Sequence, residues 1–379
     1  MTAEICTPTR VMLGAEATTE LATMIEGFGK NCLLVSGSAS AGESGALDAV
    51  REQLDKARCT ITLHDSVRPE PTTQDVDCGV ELARSADINL IIAVGGGSAI
   101  DTAKAISVAV HRNSSAELVG MTLPDNTSAI DVVAIPTTAG SGAEVTRGAI
   151  ITDPDRGLKS GIRGRCLLPR VAVVDPIWLP TMPQNVAAQT SFDALSHSIE
   201  GFMARRASVI SRMWCREALQ ILRRTLPAIA EGCATREAWE AQATASLLGG
   251  YTVANASTGY PHRIQQALGG DPRVPSTHGR GLAAVYPAWV DQLYMDLPPE
   301  PMNEIAALLG GTDLRDVIRD VICQLGLPIS LAVMGYEQEH VDLARGVLGG
   351  NLDNDPITGV NAKGLDVVLN NALMTGDTR

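Results

Sequence analysis

The sequence predicts two structural halves, an α/β N-terminal domain built on a parallel sheet over residues 1–182 and an all-helical C-terminal domain over residues 183–379. Three observations carry this. Short β-branched runs alternate with helical stretches through the first half, the pattern of βαβ units. From Pro183 onward, segments with helical apolar spacing follow one another with almost no strand-like alternation. A chain of 379 residues is long enough to bury two real cores.

Taken in order, residues 31–36 read as a buried strand, 46–56 as a helix, 60–64 as a strand, 73–85 as a helix, and 88–94 as a strand running into glycines. A helix follows over 98–110 and a strand over 131–135, after which polar and glycine-rich residues dominate until a last strand at 171–175. In the second half the helical spacing covers 192–204, 210–230, 236–254, 281–293, 303–309, 314–325, 340–349 and 364–374. The seam falls in the turn Leu179-Pro180-Thr181-Met182-Pro183, with no linker, internal repeat or low-complexity tract.

Composition narrows the function classes. The chain carries 43 acidic against 30 basic side chains, a net charge of −13, and that field argues against a nucleic-acid or anionic-membrane partner. Hydrophobic residues make up 45% but aromatics only 3%, so the cores must be built mainly from Ala, Val, Leu and Ile. Eight cysteines (Cys6, Cys32, Cys59, Cys78, Cys166, Cys215, Cys233, Cys323) form no C-x-x-C pair and read as buried or semi-buried thiols of a reducing compartment. The N-terminus lacks a basic and then apolar leader, and no stretch approaches ~20 apolar residues, so the expectation is a soluble cytoplasmic protein. A small-molecule enzyme, a binding module or an assembly protein remains.

Two loops suggest a phosphate-bearing ligand. Gly95-Gly96-Gly97-Ser98 lies between a strand and a helix, where glycines permit close backbone approach and the first-turn N–H groups suit a pyrophosphate. Ser98 reads as the N-cap, with Asp101 three residues on as in a capping box. An ordinary βα turn also favours Gly and Ser, and the spacing is not G-x-G-x-x-G. The second loop, from Thr137 and Thr138 through Gly140, Ser141 and Gly142, offers hydroxyls and glycines after a neighbouring strand, as in the crevice of doubly wound sheets.

The helical half holds four of the six histidines, three of them in suggestive surroundings. Asp193 and His197 stand four apart on one helix face. His262 follows a Gly- and Ser-rich stretch, and His278 lies in Pro275-Ser276-Thr277-His278-Gly279. One carboxylate and three imidazoles can complete most of the inner shell of a divalent cation. Each histidine taken singly reads better as a surface or capping residue, and spacing alone does not assemble them.

Together these segments resemble the iron-containing (group III) alcohol dehydrogenases. The matching stretches run in family order: Gly95 to Ser98 with Asp101-Thr102-Ala103-Lys104, Pro136 to Thr146, Leu168 to Pro176, Asp193 to Glu200, and the surroundings of His262 and His278. The resemblance implies a dinucleotide-binding α/β domain and an all-α metal-binding domain, the dehydroquinate synthase-like architecture, with the active site in the cleft. It implies Asp193, His197, His262 and His278 as ligands of Fe(II) or Zn(II). It implies cofactor contacts at Gly96, Gly97, Ser98, Thr137, Thr138 and Lys159, with Gly95, Asp101 and Thr146 in the same motifs. The implied chemistry is interconversion of a small primary alcohol and its aldehyde, with the metal as Lewis acid and hydride passing to or from a nicotinamide.

The chain departs from the family at informative places. Members often carry a second histidine four residues after the one matching His262; here that position is Gln266, an amide that hydrogen-bonds but does not titrate. The stretch between His262 and His278 is also about two residues longer than in familiar members. Many NAD-preferring members have an Asp at the end of the first strand, where this chain has Gly37 flanked by Ser36, Ser38 and Ser40, which favours NADP(H) over NAD(H). Arg147, Gly148 and Val253 match substrate-side positions, and Arg147 suits an anionic aldehyde such as phosphonoacetaldehyde. It reads equally as a solvent- or phosphate-facing side chain, as do Arg163, Arg165 and Arg170. A homodimer or larger homo-oligomer is expected by the same resemblance. A metal-free maleylacetate-reductase-like enzyme, a dehydroquinate-synthase-like lyase and an inactive cofactor-binding relative stay open.

Overall fold

The computed structural model describes residues 4–37 and 44–374. It separates into two compact units, one spanning Cys6–Pro183 and the other built on the chain from Gln184 onward.

The first unit is organised by a six-stranded, wholly parallel sheet in the order β1-β8-β5-β4-β2-β3. Its strands are β1 (Arg10–Leu13), β2 (Asn31–Gly37), β3 (Thr60–Val67), β4 (Leu90–Gly95), β5 (Asp131–Pro136) and β8 (Val171–Val174). Leu33, Val35, Ile91, Ala93, Val132 and Ala134 enter one core, beneath Val76, Val80, Ile100 and Ile106 of the helices Thr73–Ser85 and Gly97–Ala109. The alternate residues Cys32, Leu34, Leu90, Ile92, Val133 and Ile135 enter a second core against Val50 and Leu54 of the helix Ala46–Lys56. Burial on both faces explains why β2 and β4 read as unbroken apolar runs rather than alternating ones.

The stretch expected to be irregular before β8 contains an antiparallel hairpin, β6 (Gly148–Asp153) paired with β7 (Leu158–Arg163). Its inward positions Ala149, Ile151 and Ile162 alternate with half-buried residues, including Arg163, which hides the strand pattern in composition.

The second unit is helical: Gln184–Met203, Val209–Ala230, Arg236–Ala256, Tyr260–Leu268, His278–Asp296, Glu300–Leu309, Leu314–Gln324, Gln338–Val347 and Gly364–Leu373. The first of these is buried almost all round from Ser191 to Met203. Tyr286 stacks edge-on against both Phe192 and Trp289, at centroid separations of 5.3 and 5.2 Å, giving this aliphatic core an aromatic centre.

The short helix Tyr260–Leu268 is absent from the sequence reading, because Gly259 and Pro261 resemble a loop. Proline in the first helical turn sacrifices no intrahelical bond and favours the start. A Cβ on Gly259 would stand 2.6 Å from Asp355 Oδ2, so the close approach of that carboxylate requires glycine.

One further expectation is corrected. Cys78, Cys233 and Cys323 are exposed, while Cys32 and Cys215 are buried and Cys6, Cys59 and Cys166 are intermediate. Among the described residues no helix is long and apolar enough to cross a membrane.

Candidate functional site

Four side chains from three helices of the second unit converge. Asp193 and His197 come from Gln184–Met203, His262 from the first turn of Tyr260–Leu268, and His278 from the start of His278–Asp296. Asp193 Oδ1 lies 3.5 Å from His197 Nε2, 3.4 Å from His262 Nε2 and 3.3 Å from His278 Nε2. Ligands on bonds of about 2.1 Å at a tetrahedral angle stand about 3.4 Å apart, so these separations suit a shared cation. Asp193 Oδ1 and His262 Nε2 are buried and have no hydrogen-bond partner among the described residues. Such orphaned atoms are costly in a protein interior unless something binds them. Asp193, His262 and His278 place one ligand atom each within 4.8 Å of the others, and His197 stacks on His262 at 4.7 Å between ring centroids.

The outer partners set the tautomers. His262 Nδ1 lies 2.7 Å from Glu200 Oε1, and His278 Nδ1 lies 2.5 Å from Gln265 Oε1. Both partners accept, so each Nδ1 carries a proton and each Nε2 is the atom left to face a cation. Glu200 Oε2 also accepts from Gly259 N at 2.8 Å, and Asp355 Oδ2 from Tyr260 N at 2.7 Å and Trp289 Nε1 at 3.0 Å. Two buried carboxylates thus cap the helix that launches His262. Asn354 Nδ2 adds bonds to the carbonyls of Ala256 and Thr258, at 2.8 and 3.1 Å.

The charges respond. Burial alone would raise the Asp193 carboxyl, but His197 and His278 hold it well below the usual carboxylate range. Burial pushes His197 down to about 4. At His262 burial acts the same way, yet Glu200 and Asp193 outweigh it and raise the imidazole to about 9. A cation entering here therefore displaces a proton from His262.

In the first unit, β4 and β5 end side by side in register, Gly95 opposite Pro136. The helix after β4 begins at Gly97 with Gly96 as its N-cap and no side-chain cap. That corrects the reading of Ser98 as N-cap and Asp101 as its box partner: Asp101 Oδ2 instead accepts from Ile150 N at 2.8 Å. The uncapped first-turn N–H groups remain available to an anion. A Cβ on Gly95 (φ 150°) would lie 2.9 Å from Ala99 Cβ, one on Gly96 3.2 Å from Thr138 Cγ2, and one on Gly97 2.9 Å from Ser141 Oγ. The two glycine loops therefore pack against one another, and Thr137 N donates to Gly95 O at 3.0 Å.

Lys104 is fully buried and donates to Thr146 O, Thr146 Oγ1 and Gly148 O, each at 3.0 Å. Burial lowers its ammonium to about 8, against the pull of Asp101 and Glu144, and burial raises Glu144 to about 7. Asp101, Lys104 and Thr146 thus tie the end of the second loop to the helix. Lys159 is buried and ion-paired with Glu70. Gly37 ends β2, while Ser38 and Ser40 lie outside the described residues. Arg147 is exposed, and Gly148 and Val253 are half-buried. Arg165 and Arg170 lie 3.4 Å from Asp125 and 3.5 Å from Asp131, in exposed pairs.

The sequence reading missed Glu200, Gln265 and Asp355 as site residues. Glu200 was legible: Asp193, His197 and Glu200 stand at i, i+4 and i+7, one helix face. Gln265 is likewise i+3 from His262. Asp355, 95 residues from Tyr260, left no local signal.

The chain resembles known proteins over most of its length. The model of the iron-containing alcohol dehydrogenases matches residues 8–176, and that of the family's C-terminal domain matches residues 187–352. The 1,3-propanediol dehydrogenase of Klebsiella pneumoniae is 32% identical over 324 residues, covering 82% of each chain. The crystal structure of an iron-containing alcohol dehydrogenase from Thermotoga maritima superposes with a TM-score of 0.84 at 28% identity, covering 98% of this chain and 99% of that one. Sulfoacetaldehyde reductase from Bifidobacterium kashiwanohense, solved with NAD+, gives 0.83 at 25% identity over 98% of both chains. The chain belongs to the iron-containing alcohol dehydrogenase family.

Proposed function

We propose that this protein is an NADP(H)-preferring reductase of small aldehydes, dependent on Fe(II) or Zn(II). The observation that carries the reading is the convergence of three imidazole Nε2 atoms on Asp193 Oδ1 at 3.3–3.5 Å. A divalent cation at that point supplies Lewis acidity toward a carbonyl or alcohol oxygen. Asp193, His197, His262 and His278 hold it, while Glu200 and Gln265 keep the protons of His262 and His278 on the outer nitrogens. The loops at Gly95–Gly97 and Thr137–Thr138 bind the dinucleotide phosphates through backbone N–H groups and hydroxyls, with Ser98 and Lys159 beside them. Gly37 leaves the ribose position without a carboxylate, which removes the repulsion a 2′-phosphate would meet.

For the substrate we infer an aldehyde with a negative charge, such as phosphonoacetaldehyde, met by the exposed guanidinium of Arg147. The likeness to a sulfoacetaldehyde reductase supports it. The test follows NADPH and NADH absorbance with metal-loaded protein against neutral and anionic aldehydes. NADPH should be preferred, and Arg147→Ala should lower kcat/KM about tenfold for anionic substrates only, the scale of one charge-assisted hydrogen bond. Equal turnover of both aldehyde classes by wild type and Arg147→Ala would sink the anionic assignment. Turnover without net NADPH oxidation would favour the lyase reading, and NADPH binding without turnover an inactive relative.

A further inference from the structure

The helix Tyr260–Leu268 carries more than His262. At about 100° per residue, His262, Gln265 and Gln266 fall on one face at i, i+3 and i+4. Two of the three address the cation pocket, His262 through Asp193 and Gln265 through His278. Gln266 is the third, and 8% exposed. Beside this face Arg263 is buried, its Nη1 donating to Gln266 Oε1 at 3.0 Å. Its Nη2 donates to Ser257 Oγ at 3.2 Å and Thr258 Oγ1 at 3.0 Å. Ser257 holds φ 63°, a left-handed conformation that a non-glycine residue keeps only when its surroundings impose it. The guanidinium therefore grips a strained helix junction and an amide together.

A guanidinium can only donate, so the part of Gln266 turned to it must be the carbonyl oxygen, and the amide N–H groups take the other side. Among the described residues, Gln266 Nε2 donates to nothing. We propose that Gln266 donates a hydrogen bond to the oxygen of the substrate's carbonyl or alcohol group, and that Arg263 is the positioning residue that fixes the amide in that sense. This rests on the reading of the cation pocket as the substrate site. A donor held in one orientation gains strength as the oxygen gains negative charge and needs no reorganisation to do so.

The test uses Gln266→Glu, which keeps an acceptor for Arg263 but has no N–H, together with Gln266→Met, Arg263→Met and Arg263→Lys. The binding probe is isobutyramide, an unreactive carbonyl compound, titrated into Zn(II)-loaded protein with NADPH. Both Gln266 variants should weaken isobutyramide about tenfold and lower kcat/KM for aldehyde at least tenfold, with Zn(II) content, NADPH affinity and thermal midpoint near wild type. Arg263→Met should weaken the probe in the wild-type background and add less than twofold in the Gln266→Met background, with Arg263→Lys intermediate. In side-chain amide NMR of metal-free protein, the Gln266 N–H pair should lie away from the shifts of a mobile glutamine and move to them in Arg263→Met. Unchanged probe affinity in the Gln266 variants, or multiplicative effects of the two residues, overturns the proposal. Should wild type turn over no aldehyde, the functional reading fails, while the NMR spectrum and probe affinities still decide the orientation and role of Gln266.

Discussion

Replacing Glu200 by Gln tests the support of the metal centre with little change of shape. Glu200 accepts from His262 Nδ1 at 2.7 Å and from Gly259 N at 2.8 Å, and its side chain is buried. An amide has one acceptor oxygen for these two donors. If the oxygen faces His262, the new NH2 meets the Gly259 N–H; if it faces Gly259, the NH2 forces the proton of His262 onto Nε2 and removes a ligand lone pair. A hydrogen bond to a charged group contributes about 1.5–3 kcal/mol against about 1 for a neutral one, and loss of such outer support costs about 10–100-fold in metal affinity. An opposing effect must be counted. Glu200 also raises His262 to about 9, so below that pH wild type must shed a proton to take a cation, at about 1.4 kcal/mol per pH unit. Removing the carboxylate relieves that cost. Zn(II) dissociation constants from chelator competition should therefore differ by the full 10–100-fold near pH 9 and by less at pH 7. Wild-type affinity itself should climb with pH up to about 9. A Glu200→Gln constant within threefold of wild type at pH 9 would refute the reasoning.

Three further outcomes follow from the structure. Gly95→Ala places a Cβ 2.9 Å from Ala99 Cβ at φ 150°, so chemical denaturation should show a loss of about 2 kcal/mol, with weaker NADPH binding and unchanged metal content. Gly37→Asp puts a carboxylate at the ribose end of β2; NADPH should lose at least tenfold in kcat/KM while NADH is spared, and an unchanged ratio would exclude this site as the discriminator. Asp355 is raised by burial to about 7, outweighing its bonds from Tyr260, Ile357 and Trp289. A carboxyl raised in the folded state contributes stability that is complete below about pH 4 and lost as pH rises to about 7, at up to about 1.4 kcal/mol per unit. Denaturation series over pH 4–7 should show a slope shallower by up to about that amount in Asp355→Asn than in wild type, the part that Glu144 contributes remaining in both.

What was legible in the sequence follows physical lines. β2 and β4 were visible because burial on both faces makes them continuous apolar runs, and the helices Ala46–Lys56 and Thr73–Ser85 because one face of each packs on the sheet. The hairpin β6–β7 was hidden by Asp153, Lys159 and Arg163 within its strands, which meet Arg156, Glu70 and the Gly161 carbonyl respectively. The four presumed ligands were found by resemblance, since His262 lies 69 residues from Asp193 and His278 lies 85 away, and no local rule joins them. Helical periodicity exposes Glu200 and Gln265 once His197 and His262 are placed on helices. Arg263 escaped notice because its meaning lies in what it holds, the Ser257–Thr258 junction and the Gln266 amide.

The proposed function rests on a cation held by Asp193, His197, His262 and His278. The most direct measurement is an anaerobic titration of metal-free protein with Fe(II) and with Zn(II), following aldehyde-dependent NADPH oxidation and bound metal together. The account predicts that activity rises in proportion to bound metal and saturates near one equivalent per chain, and that His262→Ala abolishes both while still binding NADPH. Full turnover with metal far below one equivalent, or a His262→Ala protein that keeps both metal and activity, would contradict it.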